Sequence, residues 1–214
     1  MIHAEADNSS RVDLKKRIVA TSMEAFSSRG VKSVTMDEIA MMLGISKRTL
    51  YEVFEDKETL LIECLLTHRA KMNAFVDEVL ANSSNVLEVI LKCYKKSIED
   101  YQRTNIRFFK EVKKYPKVNE LIDCNRKRER EESVEFFEKG VAQGLFRSDV
   151  NFDIIHTLVY EQLDLLLSSE LFARYSFMEV YEAIIFTFLR GVSTEKGDAI
   201  LEKFIIDHRD QNKS

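Results

Sequence analysis

Apolar residues recur at helical spacing through most of this 214-residue chain, and no stretch alternates as a strand does. Ile18, Val19, Met23 and Phe26 mark a first helix over about 10–29. Behind Thr35, the residues Ile39, Met42 and Leu43 recur at i, i+3 and i+4, and Gly44 ends the run. Ser46 opens a short helix to about 54 with Leu50, Val53 and Phe54 on one face. Asp56 caps a longer one over 57–81, carrying Leu60, Leu61, Cys64, Leu65, Phe75 and Val79. After the polar break Asn82-Ser83-Ser84-Asn85, the spacing predicts helices over roughly 84–103, 105–114, 116–143, 151–174, 177–192 and 195–209. Pro116 suits a first helical turn, where no N–H is needed. Gly144 ends that helix, and Asn151 or Asp153 can cap the next. Six glycines and one proline agree with long helices. Residues 1–9 read as a disordered tail. The fold class is all-α, with no internal repeat.

The stretch 35–57 carries the most specific signal. Thr35 with Glu38 three residues on is a capping box: each side chain bonds the other residue's backbone N–H. Gly44 enters the left-handed conformation at little steric cost. Two short apolar-faced helices joined by a turn with glycine form a helix-turn-helix. Ala40 is small enough for a close crossing, and Ile45 can plug the corner. At about 100° per residue, Arg48 and Glu52 lie opposite Leu50 and Phe54, with Thr49 and Tyr51 flanking them. Such an outer face suits a major groove: arginine matches guanine, and a glutamate can accept from cytosine. The blander reading is a surface hairpin whose polar face is solvated.

Residues 16–61 resemble the DNA-binding domain of the tetracycline-repressor (TetR) family. The matching residues are Ile18, Ala25, Phe26, Gly30, Thr35, Ile39, Ala40, Gly44, Ser46, Lys47, Thr49, Leu50, Tyr51, Phe54, Lys57, Glu58 and Leu61. The resemblance implies an all-helical homodimer that represses transcription and is released by a small molecule. It also implies that Thr35, Lys47, Thr49, Tyr51 and Lys57 touch DNA, mostly at phosphate. Glu52 stands where members often carry an aromatic residue, and Val53 where they often carry histidine. With the outward face added, the candidate DNA-binding set is Thr35, Ser46, Lys47, Arg48, Thr49, Tyr51, Glu52 and Lys57.

Charge changes the picture slightly. The whole chain is net −4, yet residues 10–57 hold nine bases against seven acids. A mildly basic head on an acidic body fits a DNA-reading domain over 10–56 and a regulatory and dimerisation domain over 57–214. The cysteines, Cys64, Cys93 and Cys124, have neither disulfide nor zinc spacing. The histidines are scattered, and no catalytic motif or phosphate-cradling glycine loop is present, so no enzyme, metal or cofactor is expected. His156 with Glu161 and Asp164 matches no known ligand pattern, and Arg126–Glu132 reads as a solvated face of mixed charge. Residues 1–10 lack the apolar core of a signal peptide, and no apolar run approaches the ~20 residues that span a bilayer. The expectation is a soluble cytoplasmic protein without membrane contact.

Aromatics crowd the second half of the sequence. The family's effector pocket lies between body helices corresponding to about 84–143 and 151–174, which implies Tyr94, Tyr101, Phe108, Phe109, Phe137 and Tyr160 as ligand candidates. The effector expected is a small hydrophobic or aromatic molecule. The family also pairs the helices at 151–174 and 177–192 with their symmetry mates, and here those carry Leu158, Leu165, Leu166, Ile184, Ile185, Phe188 and Leu189. The partners expected are a palindromic double-stranded operator, the effector and a second copy of the chain. The rivals are a chromosome-organising or cell-division factor without an inducer, and a helical scaffold for a protein partner.

Overall fold

The computed structural model describes residues 2–168 and 174–211. Its helices are α1 (Ile2–Arg29), α2 (Met36–Leu43), α3 (Lys47–Val53), α4 (Lys57–Ala81), α5 (Val86–Gln102), α6 (Ile106–Val112), α7 (Pro116–Ala142), α8 (Phe152–Ser168), α9 (Phe177–Val192) and α10 (Glu195–Gln211). Among the described residues there is no strand; one isolated antiparallel bridge joins Phe146 and Ser193. The all-α expectation holds.

The helix ends follow local chemistry. Asp56 Oδ1 accepts the Thr59 N–H at 2.7 Å and caps α4. Pro116 is the first residue of α7, and Asn151 Oδ1 accepts the Ile154 N–H at 3.1 Å ahead of α8. One difference from the sequence reading lies at the start: α1 is helical from Ile2, through the stretch expected as a tail. Ala4, Glu5 and Ala6 are good helix formers, and Asn8-Ser9-Ser10 does not break the run. The end of the helix expected over 151–174 partly lies outside the described residues, as do the side chains of Asp164, Leu165 and Leu166.

The chain forms two compact units. One runs to Phe75 and takes in Asp100–Ile122; the other holds Val76–Glu99 and the chain from Asp123. The first is thus larger than a 10–56 segment: α6 and part of α4 are packed into it. Its core gathers Ile18 and Phe26 of α1, Ile39 and Ala40 of α2, Leu50 of α3, Leu60, Leu61 and Cys64 of α4, and Phe108 and Val112 of α6. In the second unit the core gathers Leu87, Leu91 and Tyr94 of α5, Leu145 and Phe146 of the connection between α7 and α8, Phe152 of α8, Phe186 and Leu189 of α9, and Leu201 and Ile205 of α10. Gly140 of α7 lets Phe146 pack against bare backbone, since a Cβ there would overlap the ring.

Candidate nucleic-acid interface

The first unit presents a helix-turn-helix built as its local sequence requires. Thr35 Oγ1 accepts the Glu38 N–H at 3.2 Å, and Glu38 Oε2 accepts the Thr35 N–H at 2.7 Å. The bond from the Thr35 backbone N–H, and next one donated by the Thr35 hydroxyl at 3.1 Å, hold the Glu38 carboxyl below its ordinary value, with Arg29 nearby adding to the effect. Gly44 sits at φ +66°, and the Ile45 N–H turns back to the Ala40 carbonyl at 3.0 Å. Ser46 Oγ accepts the Thr49 N–H at 3.0 Å and meets the Thr49 hydroxyl at 2.8 Å. Both short helices therefore start from a side-chain cap.

The buried stripe of α2 is Met36, Ile39 and Ala40, with Leu43 packed alongside. This corrects one expectation: Met42 is 45% exposed and Met41 75%. The i, i+3, i+4, i+7 series starting at Met36 takes the inward face and leaves Met42 off its edge. On α3, Leu50 is fully buried, while Tyr51 is 49% exposed. The outward residues form a charged, hydroxyl-bearing surface. Arg48 Nε meets Glu52 Oε1 at 2.9 Å with the Arg48 side chain 89% exposed. Lys47 Nζ is paired with Asp37 of α2.

Lys47, Arg48, Thr49, Tyr51 and Glu52 are thus brought together on one short helix, with Ser46 at its cap and Thr35 at the cap of α2. Lys57 differs from the others. It is half-buried at the start of α4, and burial pushes its pKa down, opposed by Glu111 and Glu38. Sequence reasoning misses two residues here. Asp37 holds Lys47, and its position ten residues before it across a turn was the one available sign. Glu111 of α6 accepts the Lys32 N–H at 2.6 Å, seventy-nine residues away, and no local pattern announces that.

The six ligand candidates are divided between the two units. Tyr101, Phe108 and Phe109 lie in the first unit, where Tyr101 stacks on Phe109 with centroids 5.1 Å apart and burial raises the Tyr101 phenol to about 12. Tyr94 is in the core of the second unit, its hydroxyl donating to Glu182 at 2.9 Å. Phe137 is spent on aromatic packing, stacked on Phe152 at 5.1 Å. Tyr160 lines a shallow cleft between α7 and α8, with the Arg126 guanidinium 4.6 Å from its ring centre. His156 shares that cleft, its pKa lowered by burial, and no metal-holding group of side chains occurs among the described residues. Among the dimer candidates, Leu158 is 52% exposed, as is its neighbour Ile154 at 56%, whereas Leu189 is fully buried in the unit's own core.

Residues 18–64 match the family described as "Bacterial regulatory proteins, tetR family". The chain is 25% identical over 155 residues to the HTH-type transcriptional repressor KstR2 of Mycolicibacterium smegmatis, covering 70% of this chain and 74% of that one. A solved structure of a putative transcriptional regulator from Saccharomonospora viridis in complex with choline superposes with TM-score 0.70 at 19% identity, over 86% of this chain and 100% of the other. The structure of the ketosteroid transcriptional regulator KstR2 of Mycobacterium tuberculosis gives 0.58 at 19% identity, over 85% and 95%.

Proposed function

We propose, from the premise that the chain belongs to the TetR family of DNA-binding transcription regulators, that it represses transcription as a homodimer on a palindromic operator and is released by a small hydrophobic or aromatic effector. The observation that carries this reading is the outer face of α3, where Arg48, Glu52, Lys47 and Tyr51 stand exposed on a doubly capped helix-turn-helix. A helix of that kind enters the major groove with its N-terminal residues toward the base edges. Arg48 reads guanine, and Glu52 holds its fork or accepts from a neighbouring cytosine. Lys47, Thr49, Tyr51 and Thr35 take phosphate, while Lys57, half-buried, reaches it from the start of α4.

One head offers few base contacts, so two heads on half-sites about one DNA turn apart are expected. Ile154 and Leu158 lie four residues apart on α8 and leave apolar surface in water, which a second copy would cover. Relatives differ in their small-molecule associations: one is described in complex with choline and another as a ketosteroid transcriptional regulator.

Selection of genomic fragments with the purified protein tests the reading. The expected result is a two-fold symmetric site, bound by a dimer in light scattering, with affinity that falls steeply as salt rises. Failure to enrich any sequence, with binding that ignores salt, would sink it in favour of the scaffold reading.

A further inference from the structure

In the first unit, α1 and α4 flank a cleft of about 800 Å3 that the end of α5 completes, and none of its lining residues belongs to α2 or α3. Its floor is apolar: Val12, Val19, Ala20, Met23 and Cys64. The Cys64 thiol is engaged with the Val19 carbonyl at 3.5 Å, and the Ser27 and Thr104 hydroxyls donate to the Met23 and Asp100 carbonyls, while Thr67 and His68 are further polar side chains of the lining. Ala20 is exposed and Val12 is 48% exposed, which leaves apolar surface open at the α1 side.

The lip is charged. Lys15 is neutralised by Glu63 at 2.9 Å, and Asp100, which also lines the cleft, has a partner of its own. Among the described residues, Lys16, Lys71 and Arg103 line the same opening with no ion pair, as does the acid Glu24. The charge left over is positive. An apolar trough of drug-like volume under a cationic lip complements a molecule with a hydrocarbon body and one negative head. We infer that this cleft binds an amphipathic carboxylate, with its chain along the α1–α4 floor and its carboxylate at the lip of Lys16, Lys71 and Arg103.

As the effector's seat, the cleft rests on the regulator reading above. It has a direct route to the DNA face. The opposite side of α1, through Ile18 and Phe26, shares one core with Ile39 and Ala40 of α2 and Leu50 of α3. α4 begins at Lys57. A chain wedged between α1 and α4 changes the frame that holds α3, and only a ligand that prefers the displaced frame releases DNA.

Titration of the full-length protein with decanoate, below its micelle threshold and without DNA, tests the site. Decan-1-ol and decyltrimethylammonium serve as uncharged and cationic controls. Decanoate is expected to bind one per chain and to raise the unfolding temperature, with the cation at least tenfold weaker. The surface double change Lys16→Glu with Lys71→Glu should weaken decanoate at least tenfold and leave decan-1-ol within twofold. Ala20→Trp should fill the trough and abolish both. No decanoate binding, or binding indifferent to all three substitutions, overturns the assignment. A parallel operator titration separates the two ideas. Loss of operator binding by the ligand-free protein would sink the regulator reading alone, whereas a null decanoate titration sinks only the cleft.

Discussion

The two units use the same building material in opposite ways. In the first, α2 and α3 are defined by caps at both ends, and their outward side chains are held in pairs on the surface: Lys47 with Asp37, Arg48 with Glu52. In the second, helices bury their aromatics against one another, and even the polar Tyr94 is turned inward to Glu182. One region thus leaves a charged, hydroxyl-bearing face in water, while the other commits rings such as Tyr94 and Phe137 to core packing. Function in this fold is easier to read where side chains fail to pack than where they succeed.

The largest expected effects break both regions equally. Phe26 and Phe146 are fully or almost fully buried in their respective cores. Phe26→Ala and Phe146→Ala should each cost about 3–5 kcal/mol in urea unfolding. They should part in operator binding. Phe26→Ala loosens the core that carries α3 and should weaken binding even in the folded fraction, whereas Phe146→Ala should not. Equal losses of operator affinity would erase the distinction between the regions.

Next come the outer-face residues, where stability should stay flat and DNA binding should move. Arg48→Ala is expected to lose about ten- to a hundredfold discrimination at one base pair, seen in a titration against single-base operator variants. Lys47→Ala should weaken all sequences alike and make the salt slope shallower by about one unit. Asp37→Asn frees Lys47 and removes an acid from the DNA side, so operator affinity should rise about two- to fivefold. A fall in affinity on that last change would mean that the pair positions Lys47 for phosphate instead of holding it back.

What was legible in the sequence follows from range. The Thr35–Glu38 box, the Gly44 turn and the Ser46 cap are decided within four residues, and each is formed as the pattern requires. Met42 misleads because eight residues leave two candidate apolar faces, and packing against α1 and α3 chooses the one through Met36 and Ile39. The scatter of the six aromatic candidates has the same origin at longer range. Tyr101 and Tyr94 are seven residues apart on one helix, yet they fall in different compact units. Nor does a local pattern join α1 to α4 as walls of a cleft; the lining residues Lys16 and Lys71 are fifty-five positions apart. Ser176 and Glu179 carry the same capping signature as Thr35 and Glu38, so that second box was readable, though the reading set only the helix it begins.

Smaller effects come from those two boxes, one in each unit. Thr35→Ala and Ser176→Ala should each cost about 1 kcal/mol. The first should also loosen the start of α2 and the second the start of α9, which backbone hydrogen exchange at Glu38 and Glu179 can read.

The finest distinction is electrostatic. Glu38 and Glu179 both have carboxyls held below the ordinary glutamate value, in each case first by the cap residue's backbone N–H and then by its hydroxyl. Only Glu38 has a charge among the causes, the Arg29 guanidinium at 3.4 Å. A lowered folded pKa means that the unfolded chain takes up the proton first as pH falls. The stabilisation is therefore complete above the unfolded value of about 4.3, and it is lost as pH falls through the lower folded value. Glu38→Gln and Glu179→Gln keep an oxygen for the box but cannot titrate, so each should flatten the acid limb of the stability curve. Salt should separate them, because it screens Arg29 and leaves hydrogen bonds in place. In carboxyl NMR titrations, raising the salt to 1 M, where screening acts within about 3 Å, should move Glu38 part of the way back toward its ordinary value and leave Glu179 where it is. If both carboxyls move together, the Arg29 contribution is absent and the two boxes are one device used twice.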